Sequence, residues 1–507
     1  MSKTPKKRAS RQAYISQGQL VIEGFESPFS QELDKSNRWV ALADRLPWDE
    51  LANLYLKKCP PKSTGRPPLN PRIVMGALII KHLCNLDDRE TISQITENIY
   101  MQYFLGYPGF DSQPPFDPSL FVEIRKRMGE DLINEMNMRI LRLSKADKKK
   151  PEDPSRTSGK DDNRGNGDLL IDASVAPQDI AYPTDLNLLS EARQISERII
   201  DRIYDKELHG KKPRTYRRVA RKEYLKVAQS KSPGHKKIRR SVGKQLRYLR
   251  RNIKSIHWLL DSHAVFPMSG QLQRHFWVIQ TLFFQQWEMY SEGKRSVDDR
   301  IVSIHQPHVR PIVRGKARAR TEFGAKIHLS LVNGYAFLDT ISWDAFNEGR
   351  HLAEYVEKYR ERFGFYPERV LADKIYCTRE NRKWLQERSI KLAAKPLGRP
   401  SAKAVEDHVR PGQRNPIEGK FGQAKNGYGM NRIRARLRGT SQSWIATIIL
   451  VLNLVNLTRE ALLCLGFSAR VMLWLRKLTW IYPFRIKYIG SWPSLSPYRV
   501  YNLNLAC

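Results

Sequence analysis

Asp168-Leu-Leu-Ile-Asp-Ala-Ser-Val175 is the stretch on which the fold turns. In an extended chain Leu170, Asp172 and Ser174 share one face, and Leu169, Ile171 and Ala173 share the other. The pattern predicts a short strand with a carboxylate on it, and such a carboxylate is costly unless paired or bound to a cation. Arg300-Ile-Val-Ser-Ile304 predicts the next strand. Ala325, Ile327, Leu329 and Leu331 then alternate with polar neighbours up to Asn333-Gly334, a hairpin signal, and Tyr335 to Ser342 supplies the returning strand. Leu352, Val356, Tyr359 and Phe363 mark a helix that Gly364 ends. Arg369-Val-Leu-Ala-Asp373 predicts a strand, Arg379 to Arg388 a helix, Ile390-Lys-Leu-Ala-Ala394 a strand, and Asn415-Pro416 opens a helix through Lys425. The order predicts a mixed α/β sheet over 168–440, with a long insertion at 179–296 after its first strand.

That insertion predicts helices. Leu188, Leu189, Ala192, Ile195, Ile199 and Ile203 form an apolar stripe, and residues 264–290 are rich in aromatics. Residues 211–251 hold 17 Lys and Arg against one acid, Glu223, with Tyr216, Tyr224 and Tyr248 among them. Upstream, residues 145–167 have the composition of a linker and 1–30 that of a basic lead. Between them, 31–144 predicts an all-α domain. Trp39, Leu42, Ala43 and Leu46 lie on one helical face, Asn70-Pro71 caps the helix of Ile73 to Ile80, and Asp87 or Asp88 starts one containing Ile92, Ile95 and Ile99. Asp117-Pro118 opens another that ends near Met128. Three short helices with tight turns suit a helix-turn-helix bundle as well as a structural or dimerisation unit. Residues 441–507 form a carboxy-terminal helical or irregular segment, whose apolar run Trp444 to Leu457 carries Asn453 and predicts a core helix rather than a membrane span.

The charge narrows the partners. Among 507 residues, 88 Lys and Arg against 52 Asp and Glu leave a net charge of +36, an excess suited to a polyanion such as nucleic acid. A content of 41% hydrophobic and 28% charged residues fits a folded chain. The five cysteines show no zinc-like or disulfide spacing, and the charged amino terminus lacks the apolar stretch of a secretory signal, so a cytoplasmic protein without a membrane role is expected.

Asp172 and Asp373, at or near strand ends, are the candidate acids; each could equally cap a turn or start a loop. Glu418 has two readings as well, since Asn415-Pro-Ile-Glu418 fits a capping box. Basic residues follow it, among them Lys425, Arg432 and Arg434. His305 and His308 stand too isolated, beside Pro307, to suggest a metal pair.

Together these residues resemble the DDE transposases of bacterial insertion sequences, over roughly residues 66–440. Arg66-Pro-Pro-Leu69, Asp87-Asp-Arg-Glu90, Phe104-Leu-Gly106 and Phe121 to Arg127 are similar to that family's amino-terminal helical domain. Ile171-Asp-Ala-Ser174 with Tyr182-Pro-Thr-Asp-Leu186 resembles its first acid motif, Leu371-Ala-Asp-Lys-Ile-Tyr376 with Asn381 its second, and Arg414-Asn-Pro-Ile-Glu418 through Lys425 its third. Pro411, where the family usually has Tyr, and Ile375, where a small residue is common, depart from the pattern. The resemblance implies a ribonuclease H-like catalytic core behind an all-α amino-terminal domain. It implies Asp172, Asp373 and Glu418 as ligands of two Mg²⁺ ions, with Mn²⁺ able to substitute, and cleavage of double-stranded DNA at element ends followed by strand transfer into target DNA. Arg414, Lys425, Arg432 and Arg434 would contact DNA, as would Arg239, Arg240, Arg250 and Arg251 of the basic insertion, in a homo-oligomer formed on DNA and associated with the nucleoid. The alternatives are a catalytically inactive, transposase-derived DNA-binding protein, and a ribonuclease H-like nuclease acting on RNA or junctions.

Overall fold

Four of the amino-terminal helices begin where an Asn or Asp side chain accepts their first free amides, as N-cap chemistry requires. Asn37 caps α1 (Arg38–Arg45), Asn70 caps α3 (Pro71–Leu83), Asp87 caps α4 (Asp88–Glu97) and Asn98 caps α5 (Ile99–Phe104). The two others are α2 (Trp48–Lys58) and α6 (Leu120–Ala146). From Asn70 onward four helices, α3, α4, α5 and α6, therefore stand where three were expected. Asn98 breaks the Ile92–Ile99 run in two, and α6 continues past Met128 through a kink at Gly129. The computed structural model describes residues 33–60, 68–146, 167–313, 321–394 and 412–481. The basic lead, most of the expected linker and Pro411 lie outside these residues.

The sheet begins with β1 (Asp168–Pro177). It pairs antiparallel with β3 (Thr321–Val332), placing Asp172 opposite Leu329 and Ala173 opposite His328. On the far side of β3 run β2 (Arg310–Val313) and β4 (Tyr335–Ser342), both antiparallel to it. The β3–β4 turn is Asn333-Gly334, both with positive φ, 50° and 81°, as a two-residue hairpin of this twist needs. β5 (Arg369–Leu371) runs parallel to β1, and β6 (Lys391–Ala393) parallel to β5. The strand expected at Arg300–Ile304 is a loop. Ile301, Val302 and Ile304 are buried, but the Ile301 amide donates to Gln285 Oε1 at 3.0 Å rather than to a neighbouring strand.

Helices cover both faces. Leu169 and Ile171 of β1, with Val332, Phe337 and Val370, pack under α12 (Leu352–Phe363) and α13 (Arg379–Gln386). Ala325, Ile327, Leu329 and Leu331 of β3 pack on the opposite face, in one core with the amino-terminal helices, α14 (Asn415–Gly427) and α15 (Arg438–Ile481). The insertion consists of α7 (Asp185–Ile203), α8 (Lys206–His209), α9 (Arg217–Ala228), α10 (His235–Asp261) and α11 (Gly270–Glu292). Leu189, Ile199, Leu246, Leu249 and Ile279 lie in a core of its own. The described residues up to Leu457 make one compact unit, and the part of α15 from Thr458 onward belongs to a second.

The segment Arg438–Arg459 is long and apolar enough to cross a membrane by length and composition alone, yet Ile445 to Leu454 are buried in protein. Asn453 uses this burial. Its Oδ1 accepts the Ala336 amide at 2.8 Å, while its Nδ2 donates to the Ala336 carbonyl at 2.7 Å and to Asn137 Oδ1 at 2.9 Å. One side chain thus ties α15 to β4 and α6. Asn453→Ala takes the Asn453 partner from the buried Ala336 amide and Asn137 Oδ1, at about 1–3 kcal/mol each, while the Ala336 carbonyl keeps Asn137 Nδ2 at 3.4 Å, so the expected loss is about 2–4 kcal/mol, measured by urea unfolding. A loss within about 0.5 kcal/mol, the scale of ordinary surface substitutions, would refute this role.

Candidate active site

β1 and β5 run side by side, and this delivers Asp172 and Asp373 to one neighbourhood. Asp172 shares the Leu170 face, towards α14, while Asp373 follows β5 and caps the 3-10 turn Lys374–Tyr376, accepting the Lys374 amide at 2.7 Å. Arg414 stands at the N-cap of α14, and Ile417, Phe421 and Ala424 bury one face of that helix in the core. From there its guanidinium reaches both acids: Nη2 lies 3.5 Å from Asp172 Oδ1, and Nη1 lies 3.5 Å from Asp373 Oδ1. These are loose contacts beside the about 2.7–2.9 Å of a strong charge-assisted hydrogen bond. The buried Arg414 Nε has no hydrogen-bond partner among the described residues.

Burial raises the Asp172 carboxyl above the ordinary carboxylate range. The Arg414 charge and the Ala173 amide, 2.9 Å from Oδ1, oppose the shift, and Glu348 and Asp373 add to it. Glu348 opens the 3-10 turn Glu348–His351 after β4 and pairs with Lys326 of β3. This turn is pressed against the one that follows Asp373: a Cβ on Gly349 would lie 2.3 Å from the Ile375 carbonyl oxygen. Asn381 fastens the two, its Nδ2 donating to the carbonyls of Gly349 at 2.6 Å and Tyr376 at 2.9 Å.

Glu418 is exposed, one turn along α14 from Arg414. Asn415 is the first helical residue, not the cap, and no side chain caps this helix, so the capping-box reading of Glu418 does not apply. The structure thus brings Asp172, Asp373 and Arg414 together, with Glu418 on the helix that Arg414 starts. Among the described residues no group of three or more His, Cys, Asp or Glu side chains gathers at metal-binding distance. His305 instead faces Glu191 at 3.2 Å and His308 packs edge-on against Trp343, so the two form no pair.

Of the expected DNA-contacting residues, Arg432 and Arg434 are exposed on either side of the buried Ile433, and Arg432 Nε donates to Asp179 at 3.0 Å. Lys425 is half-buried on the same helix as Glu418. In the insertion Arg240 and Arg250 are exposed, Arg250 lying over Trp287 at 5.5 Å. Arg239 lies over Tyr290 at 4.7 Å and Arg251 over Tyr216 at 4.3 Å. Glu348 and Lys326 were not anticipated. The signal available was an acid and a base set into an otherwise apolar strand and the loop after its hairpin.

The Transposase DDE domain model matches residues 370–455, which include Asp373 and Glu418, and the Transposase domain (DUF772) model matches residues 27–127. An uncharacterized protein, ORF8 in the nfe locus of Rhizobium meliloti, is 30% identical over 160 residues, 31% of this chain and 69% of that protein. No solved structure matches. The fold is a mixed α/β sheet with helices on both faces. The chain belongs to the DDE transposases of insertion sequences.

The raised Asp172 carboxyl has a consequence for stability. A group whose folded-state pKa lies above its unfolded value stabilises fully below the unfolded value, 3.8, and loses that contribution as pH rises through the folded one. At neutral pH the ionised Asp172 is therefore a net cost to the metal-free fold. Asp172→Asn should raise the metal-free Tm at pH 7, and the gain should vanish below about pH 4, the region of the unfolded carboxyl. Thermal unfolding across pH checks this; an equal or lower Tm at pH 7 would contradict it.

Proposed function

We propose that this transposase cuts DNA at the ends of its element and joins the freed 3′ ends to target DNA, using divalent ions held by Asp172, Asp373 and Glu418. The observation that carries the proposal is the convergence of Asp172 and Asp373 on a single positive charge, Arg414. The donors are carboxylate oxygens, which suit a hard cation such as Mg²⁺ or Mn²⁺. The loose guanidinium contact leaves such an ion a weak competitor to displace. Glu418, exposed on the adjoining turn, is the third donor. Held by these carboxylates, two ions would supply activation of the attacking oxygen and stabilisation of the leaving one. A ribonuclease H-like reading of the sheet is supported by β3 running antiparallel between β4 and β1, with β5 and β6 parallel to β1.

The chain's own cations supply the remainder. Arg414, once released, turns to the scissile phosphate beside it, and Lys425, Arg432 and Arg434 line the path of the duplex. Residues 31–144 recognise the element end and 168–440 perform the chemistry, with DNA bringing copies of the chain together in the cytoplasm at the nucleoid. Because all three acids are present, the catalytically inactive reading is not favoured. Asp172→Asn, Asp373→Asn and Glu418→Gln should each reduce cleavage of end-labelled element DNA by roughly 10²–10³-fold or more, while DNA affinity without metal stays near wild type. Full cleavage by any one of them removes that residue from the site.

The insertion contributes phosphate contacts. Part of its charge is already matched internally: Glu223 pairs with Lys244 at 2.6 Å and Lys226 at 3.4 Å, and Asp201 pairs with Lys212 and Arg217, both at 2.8 Å. The exposed cations of α9 and α10, Arg240 and Arg250 among them, are left for a polyanion. Replacing Arg239, Arg240, Arg250 and Arg251 by Gln should weaken binding to all sequences alike. It should flatten the slope of log K against log salt by up to about 0.9 per lost contact. An unchanged slope with loss of affinity for one sequence would mean that the segment contacts bases.

A further inference from the structure

We propose that the Tyr376 hydroxyl is a positioning group for Asp373, held in place by a buried His328–Asp339 pair on the neighbouring strands. The inference rests on the reading of Asp373 as a metal ligand. Tyr376 closes the turn that Asp373 opens: its backbone amide donates to the Asp373 carbonyl at 3.0 Å. Its side chain is fully buried, and its hydroxyl lies 3.1 Å from His328 Nε2. His328 Nδ1 lies 2.9 Å from Asp339 Oδ2. The directions close if His328 carries its proton on Nδ1, donates to Asp339, and accepts from Tyr376.

Every member of this chain is fixed from a second side. The His328 ring stacks on Tyr355 with centroids 3.4 Å apart and planes 11° from parallel. Ser330 donates to Asp339 Oδ2 at 2.5 Å, and Arg362 of α12 pairs with its Oδ1 at 2.7 Å. Burial alone would push the Asp339 carboxyl up, but Arg362, His328 and Ser330 together hold it below its ordinary value, so it stays an anion and an acceptor. Lys358 donates to the Asp339 carbonyl at 2.8 Å. Groups from two strands and a helix therefore hold the imidazole that reaches the phenol oxygen, at the end of the three-residue turn that presents Asp373. A buried network of this size is retained only if every partner is satisfied. The Asp373 carboxylate itself is half-exposed, tied to its own turn by the Lys374 amide at 2.7 Å and only loosely to Arg414, so its direction follows that of the turn.

Removing the phenol oxygen strands His328 Nε2 and takes away the turn's side-chain tie to the sheet, leaving the Asn381 bond to the Tyr376 carbonyl and the packing of the ring in place. Groups that orient metal ligands from behind change metal affinity by about 10–100-fold when lost. The test is Mn²⁺ titration of the full metal-free chain by calorimetry or electron paramagnetic resonance, beside near-ultraviolet circular dichroism and DNA affinity without metal. Tyr376→Phe should weaken Mn²⁺ binding about 10-fold or more with wild-type dichroism and DNA affinity. His328→Gln, whose amide oxygen can still accept from Tyr376, should bind Mn²⁺ nearly as well as wild type, and His328→Ala should not. If Asp172→Asn and Asp373→Asn weaken Mn²⁺ binding but Tyr376→Phe does not, the positioning role is overturned. If Asp373→Asn also leaves Mn²⁺ binding unchanged, the metal-site reading itself fails, and this inference falls with it.

Discussion

A carboxylate set halfway along a largely buried strand needs a positive charge, and the arrangement of this protein follows from meeting that need at Asp172. The charge comes from Arg414, more than two hundred residues on, and the same guanidinium serves Asp373. For it to reach both acids, β5 must lie beside β1 in parallel, and α14 must cross that face with its first turn at the strand ends. Parallel neighbours require a crossover. The hairpin β3–β4 and helix α12 provide it, while the helices of the insertion form a separate core that leaves the sheet intact. The site is the junction of segments far apart in the chain, held by apolar packing on both faces of the sheet.

Local signals carried much of the fold. The β4 limits, the Asn333-Gly334 turn and helix α12 lie where periodicity and turn chemistry place them, since each depends on residues close in sequence. Misplaced elements have a common cause. Ile301, Val302 and Ile304 look like a strand because they are apolar, yet they are buried as a loop, and only tertiary packing distinguishes the two. The alternation of β3 was legible but its meaning was not. Lys326, His328 and Ser330 look like a solvent face, whereas His328 and Ser330 are buried as an interior polar layer with Tyr355 of α12 stacked on His328, and Lys326 is half-buried against Phe346 and Glu348.

The candidate site divides in the same way. Asp172 and Asp373 were visible as acids in apolar strands, and the fold brings them together on Arg414. Nothing local could show that Arg414 sits between them, that Glu348 lies close by, or that the Tyr376 hydroxyl meets His328, because those contacts join different crossovers of the sheet. Glu418 illustrates the opposite error. Its spacing from Asn415 suited a capping box, but helix α14 starts one residue earlier than that reading requires. The family resemblance, carried by several ordered motifs, had more weight than any of these residues alone.

Arg414 bridges Asp172 and Asp373, and under the proposed function divalent ions would take its place. Crystals of the full chain grown with Mn²⁺ and measured at its absorption edge test this directly. The account predicts anomalous density within coordination distance of the Asp172 and Asp373 carboxylates, with Arg414 withdrawn from between them and Glu418 turned inward. Manganese bound elsewhere, with Arg414 still bridging the two aspartates, would contradict it.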